Sequence, residues 1–466
     1  VEIIISNKIR IKNCPSPIKN NLIETLKVPN PKYLEAVKNG RWVGNINPHI
    51  YNFGILPDDS ILIPRGMKPS LFEMVKDHSP TVIDERTSNN FIEIDSSNIN
   101  YRDYQEKAVV KLCQAEEGLL VAPAGSGKTV IGLSVLPLLG QRCLWLTHTR
   151  ALAYQALERA TKFLPSLGDD DTGIVGDSKW KVGNIFTVGL IPTLVRRPKE
   201  LSGLCNEFGL VIVDEAHHVP ASTFLEVIGA LNPYFLYALT ATPYRRDKLQ
   251  ALMFQTIGPL VAEITVNEVR SSGGVVMPKI IYRAVHSKPV YGNQIQTILK
   301  DLVHNDVRNG LIVGDVLKEA HKGNYCIVLT DRKAHADILY DLIQKGWPKT
   351  GIATGKYSKK YVTEQSELLN KKEITTLVCT SALLGEGFDV PFLNRAFIGM
   401  PFRAENKAEQ IIGRIQRTAE GKDDAVVYDY VDVDIGVLAN QFYTKSANNC
   451  RCNVYKRLGL EIVPYE

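Results

Sequence analysis

Between residues 119 and 239 the chain returns five times to a short, nearly unbroken apolar run: Leu119–Ala122, Arg142–Leu146, Asn184–Val188, Leu210–Val213 and Phe235–Leu239. Polar or Gly/Pro turns close these runs, and helical lengths of chain separate them. A strand that is apolar on both faces needs cover on both faces, which helices packed on a parallel sheet provide. The rhythm predicts a doubly wound α/β domain over residues 101–270. A second series, Tyr325–Leu329, Thr376–Val378, Ala396–Ile398 and Ala425–Tyr428, predicts a second α/β domain over 271–466. Ser271-Ser272-Gly273-Gly274 reads as a hinge between them. Residues 1–100, with Asn13-Cys14-Pro15-Ser16-Pro17 and Val28-Pro29-Asn30-Pro31, break the rhythm and are expected to form a small α+β accessory domain.

A chain of 466 residues exceeds what one core holds, in keeping with several domains. Its hydrophobic share of 44% beside 23% charged residues excludes a disordered chain. The net charge of +5 is small for this length and permits a polyanionic partner without requiring one. The eight cysteines are scattered, several inside apolar runs, and are expected as buried free thiols; Cys450 and Cys452 lack the second ligand pair of a zinc site. No uncharged apolar run reaches the roughly 18 residues of a membrane span, so a cytoplasmic chain without a membrane partner is expected.

The chemistry starts at Val121-Ala122-Pro123-Ala124-Gly125-Ser126-Gly127-Lys128-Thr129. A flexible loop between a strand and a helix wraps its N–H groups around phosphates, at the positive end of the helix dipole. Lys128 is placed to reach the outer phosphates and Thr129 to bind Mg²⁺. Ala122 stands where the stricter form of the motif has Gly. Farther on, Asp214-Glu215-Ala216-His217 puts two carboxylates at the end of a buried strand, one for the metal and one for the attacking water. Together the two motifs predict nucleoside triphosphate hydrolysis.

Further segments follow in a fixed order: Gln105 ahead of the loop, Thr240-Ala241-Thr242-Pro243, Gly385-Glu386-Gly387-Phe388-Asp389-Val390-Pro391, and Gln410-Ile411-Ile412-Gly413-Arg414-Ile415-Gln416-Arg417. From about residue 101 to 432 the chain resembles a superfamily 2 helicase or translocase. The resemblance implies two tandem RecA-like domains with ATP and Mg²⁺ between them. It assigns the ATP site to Gln105, Ala124, Gly125, Ser126, Gly127, Lys128, Thr129, Gly387 and Asp389, with Gln105 reading the adenine edge. Lys128, Asp214, Glu215, Gln410, Arg414 and Arg417 would be catalytic, Thr129 and Asp214 would hold Mg²⁺, and Thr240 and Thr242 would couple hydrolysis to the track. Thr149, Arg150, Gln155, Thr193, Thr330, Arg332, Thr380 and Ser381 would meet DNA, with Pro192 a departure from the motif around Thr193.

The last motif also has a physical reading. Ala408, Ile411, Ile412 and Ile415 have the spacing of a core-facing helical stripe. Gln410, Gly413, Arg414 and Arg417 share another face at the same spacing, so both arginines are predicted on one helix as fingers for the γ-phosphate.

The glycine-rich segment and the final motif look closer to DNA translocases than to RNA-directed DEAD-box proteins. Thr242-Pro243-Tyr244-Arg245-Arg246-Asp247 resembles restriction-enzyme motors and XPB-like and phage branch-migration helicases. The resemblance implies a monomeric, nucleoid-associated motor that remodels forks or branched DNA, with residues 1–100 gripping DNA. A restriction or defence motor needing a partner nuclease, and a nucleotide-gated clamp that does not unwind, are the alternatives.

Overall fold

The computed structural model describes residues 1–465 apart from 124, 217–220, 242–248, 287–294, 382–389, 403–404 and 443–449, together with all but the side chains of 221, 359, 405 and 406. Of the expected site residues, Ala124, Thr242, Gly387 and Asp389 lie outside the described residues. The chain divides into two compact units, Val1–Thr265 and Val266–Glu466.

Among its described residues the first unit holds two large sheets and a two-stranded antiparallel pair, Lys27–Pro29 with His49–Tyr51. Lys8–Lys12 alternates charge with isoleucine, and Ile9 and Ile11 are fully buried, as a half-buried strand requires. It pairs antiparallel with Glu2–Ile5 and Ile61–Pro64 in a five-stranded sheet, to which Thr81–Asp84 adds a parallel edge. The helices Ser16–Thr25 and Lys68–Val75 cover it through Leu22, Leu71 and Val75. This is the accessory region expected of residues 1–100. Arg65 anchors it to the rest of the unit, with Nε donating to Glu117 Oε2 (2.6 Å), Nη1 to Pro233 O and Nη2 to Tyr234 O (2.9 Å).

The second sheet of this unit has eight strands in the order Lys179–Lys181, Thr172–Gly176, Phe186–Leu190, Cys143–Thr147, Leu210–Asp214, Phe235–Thr240, Glu117–Val121, Leu260–Glu263, parallel except for the first pair. The five predicted runs all lie in it. Four of its strands are buried along their whole length, as sequences without alternation must be.

The second unit carries a parallel seven-stranded sheet in the order Thr350–Ala353, Thr376–Thr380, Cys326–Thr330, Arg395–Ile398, Val426–Asp432, Lys279–Val285, Ile462–Pro464. The four predicted runs are its centre. Both units are therefore RecA-like α/β domains. Among the described residues no helix is long and apolar enough to cross a membrane.

Candidate nucleotide site

A parallel sheet delivers the ends of its strands to one edge. In the first unit that edge gathers Val121 and the loop behind it, Asp214, Thr240, and Thr147 with the Thr149 turn; Asp214 pairs in register with Leu239, and Thr240 with Val121. The phosphate loop turns there at Gly125 and Gly127, whose φ angles of +82° and +81° suit glycine. At Gly127 a Cβ would also lie 2.4 Å from Gln105 Nε2. The helix Lys128–Leu139 starts directly after it.

Lys128 is buried, its Nζ 3.2 Å from Ala122 O and 3.4 Å from Glu215 Oε1. Glu215 sits at φ +48°, a left-handed conformation costing a β-substituted residue roughly 1–3 kcal/mol. Burial and the adjoining Glu215 carboxylate push the Asp214 carboxyl up to about 7, against the pull of Lys128 and Arg159. Two carboxylates are thus crowded into one buried place that favours a cation.

The oxygen donors present, the Thr129 hydroxyl and the Asp214 carboxylate, are those Mg²⁺ prefers. Ser126 Oγ is fully buried and has no hydrogen-bond partner among the described residues, in keeping with a loop built to donate to phosphate oxygens. The residues fit a metal–nucleotide.

The geometry also brings in two groups that no motif announced, Arg159 and Tyr104, beside the expected Gln105. Arg159, on the helix Arg150–Phe163, donates from Nη1 to Thr129 Oγ1 at 2.9 Å. Tyr104 Oη donates to Ser126 O at 3.0 Å. Gln105 Nε2 donates to the same oxygen at 2.9 Å, and its Oε1 accepts from Arg102 N–H at 3.0 Å. Both ends of the Gln105 amide are therefore engaged by backbone, and the side chain braces the loop.

Among the expected track residues, Thr149 caps its helix, its Oγ1 accepting from Leu152 N–H at 3.3 Å. Arg150 is exposed and ion-paired with Asp177, which also accepts from Tyr154 Oη at 2.8 Å. Gln155 is half-buried on that helix, and Thr193 is half-buried in the short helix Ile191–Leu194. Thr240 is fully buried.

In the second unit Thr330 and Thr380 end neighbouring strands in register. Thr330 is 1% exposed, which leaves its hydroxyl no surface to offer. Its hydrogen-bonding is settled by a neighbour. Asn309 Nδ2 donates to Val303 O, so Asn309 Oδ1 faces His335 Nε2 (2.8 Å) as an acceptor. His335 must then carry its proton on Nε2 and accept from Thr330 Oγ1 (3.0 Å) at Nδ1. Arg332 occupies the N-cap position of the helix Lys333–Gly346 without a side-chain cap bond, its side chain donating to Gln296 instead, and Ser381 is buried.

The stripe Ala408, Ile411, Ile412 and Ile415 is buried as predicted. The helix Glu405–Ile415 stops short of Arg417, however, and this corrects the reading of both arginines on one helix. Arg417 lies in an isolated antiparallel bridge with Val275. Lys422 Nζ draws the chain away from helical geometry by donating to Ile415 O (2.6 Å), Arg417 O (2.7 Å) and Pro391 O (2.9 Å). Gln410 is exposed, and Arg414 and Arg417 are half-buried.

Residues 98–245 match the family described as the type III restriction enzyme res subunit, and residues 309–419 the helicase conserved C-terminal domain. A DNA 3'-5' translocase XPB2 of Sulfurisphaera tokodaii is 35% identical over 172 residues, 36% of this chain and 37% of that protein. A probable helicase of an Escherichia phage is 25% identical over 73% of both chains. A putative ATP-dependent RNA helicase of Acanthamoeba polyphaga mimivirus is 22% identical over 75% of this chain and 67% of its own length. In fold, a putative HsdR subunit fragment of a type I restriction enzyme from Vibrio vulnificus aligns with 72% of this chain and 65% of its own at TM-score 0.55 and 18% identity. The chain belongs to the superfamily 2 helicases, on the branch of the restriction-enzyme motors and XPB-like translocases, and is an ATP-dependent hydrolase of that family.

Proposed function

We propose that this chain is an ATP-driven motor that moves on DNA and remodels forked or branched DNA. One observation carries the reading: Lys128, Asp214 and Glu215 meet at the edge of one sheet, beside a phosphate loop with a buried, unsatisfied Ser126 hydroxyl. Thr129 and Asp214 hold Mg²⁺, which shields the phosphate charge when bound. Lys128 neutralises the outer phosphates, and Glu215 orients and deprotonates the attacking water. Arg414 and Arg417 of the second unit supply positive charge to the γ-phosphate on closure, and ATP binding favours the closed state. Thr240 and Thr242 couple that closure to the track. Thr149, Arg150, Gln155, Thr193, Arg332, Thr380 and Ser381, with Thr330 through its backbone, line the path of the sugar–phosphate chain, whose contacts are indifferent to sequence.

DNA as the track draws on the name of the XPB-like relative, a DNA 3'-5' translocase. The match of residues 98–245 to a restriction-enzyme subunit favours a second reading, a defence motor coupled to a separate nuclease. The test compares ATPase stimulation and strand separation on single strands, duplexes, forks and four-way junctions, with RNA counterparts. The expected order is forks and junctions above duplex, with 3′→5′ polarity. Stimulation by RNA alone would overturn the DNA reading, and translocation on plain duplex without preference for junctions would favour the restriction-motor reading.

A further inference from the structure

Among the described residues, Arg159 is a cation beside the phosphate loop that the motor reading leaves without a task. It lies on the helix Arg150–Phe163, and its Nη1 donates to Thr129 Oγ1 at 2.9 Å. Thr129 Oγ1 thus accepts from Arg159, while Lys128 Nζ lies 3.4 Å from Glu215 Oε1.

A hydroxyl oxygen against a dication cannot keep a guanidinium within hydrogen-bond distance without a poorly solvated contact between like charges. Gln155 precedes Arg159 by one helical turn and therefore shares its side of the helix. The start of the same helix holds Thr149 and Arg150, and it is pinned by Asp177, which takes both Arg150 and Tyr154. Arg159 and the segment expected to meet the track are therefore parts of one helix.

We propose that Arg159 is a nucleotide sensor that holds the Thr129 hydroxyl and is displaced from it by metal–nucleotide, so that site occupancy is transmitted along the helix to Thr149, Arg150 and Gln155. The idea rests on Thr129 as the metal-holding hydroxyl. Arg159 is a positioning residue in this scheme, and its removal frees the metal site instead of disabling it.

The test measures binding of a fluorescent ADP to the full chain across a Mg²⁺ titration, without nucleic acid, for the natural protein, Arg159→Gln and Arg159→Lys. Hydrogen exchange of residues 150–163 is followed alongside. Arg159→Gln is expected to lower the half-saturating Mg²⁺ at least fivefold, while Arg159→Lys, which keeps the charge, stays within twofold of the natural chain. Binding of Mg²⁺–ADP is expected to change exchange in 150–163 of the natural chain and to leave it unchanged in Arg159→Gln. A shift below fivefold, or affinity lost equally with and without Mg²⁺, would overturn the competition. Unaltered exchange in the natural chain would overturn the transmission. Lys128→Ala separates the two levels: if it binds the labelled ADP as well as the natural chain does, the nucleotide-site reading itself is wrong, whatever Arg159 does.

Discussion

Arg65→Met should loosen the accessory sheet from the first α/β domain more than almost any other single change. Arg65 is 2% exposed and Glu117 6%, and the guanidinium also serves the carbonyls of Pro233 and Tyr234. Methionine fills much of the volume and leaves Glu117 buried without its ion-pair partner. Breaking a buried pair from one side costs about 3–5 kcal/mol, so a loss of about 4 kcal/mol is expected. With a urea dependence of roughly 2–3 kcal/mol/M, the midpoint should fall by about 1–2 M. Trp145, fully buried in the same unit, provides the fluorescence signal, and Trp347→Phe removes the emission of the second unit.

The pair itself should be worth far less than its rupture. Burial outweighs attraction on both sides, lowering Arg65 and raising Glu117 from their ordinary values. Arg65→Met with Glu117→Leu should therefore recover most of the loss. pH separates the two effects. In Arg65→Met the folded pKa of Glu117 rises further, so the folded state binds more protons than the unfolded one and the variant's deficit shrinks as pH falls toward the usual carboxylate range. A double variant as unstable as the single one, or a single-variant loss under about 1 kcal/mol, would refute the reasoning.

Lys128→Ala should abolish nucleic-acid-stimulated ATP hydrolysis while DNA binding, measured by fluorescence anisotropy, stays largely intact. Arg417→Ala should lower turnover more than ATP affinity, and equal losses in steady-state kinetics and nucleotide binding would indicate a structural part. Lys422→Met, which releases the carbonyls of Ile415, Arg417 and Pro391, should reproduce a milder form of the Arg417→Ala defect in the same assays. Burial, with Arg308 and His304, drives His335 down to about 3 from 6.5. The unfolded chain then binds more protons between those values, so stability should fall as pH drops through that window, by about 1.4 kcal/mol per pH unit. His335→Asn should flatten the slope in acid titrations followed by circular dichroism.

Much of the architecture was legible because parallel strands buried on both faces leave a bare apolar signature. Strands with a mixed pattern escaped. Lys279–Val285 carries Lys279 and Arg283, and Thr350–Ala353 is four residues long and includes Gly351. Neither contrasts with a loop until its sheet partners are known. The nucleotide loop and the acidic strand end were legible because phosphate and metal chemistry demand fixed residue types at fixed spacing. Arg159 had no such signal, since its position follows from where a helix crosses Thr129. Arg417 shows the converse. Helical spacing continued through it, but Lys422, five residues later in the chain, supplied acceptor carbonyls with a better partner and the helix ended at Ile415.

By itself, then, the sequence determined the two sheets and the residues that make the phosphate site, because hydrophobic periodicity and ligand chemistry act over short stretches of chain. Tertiary structure alone decided that Arg159 reaches Thr129, that Gln105 braces the loop, that Thr330 is sealed by His335, and that Arg65 bolts the accessory sheet to the strand feeding the phosphate loop. Each of these joins residues whose partnership depends on packing in three dimensions, where burial removes water and makes an unpartnered polar group costly.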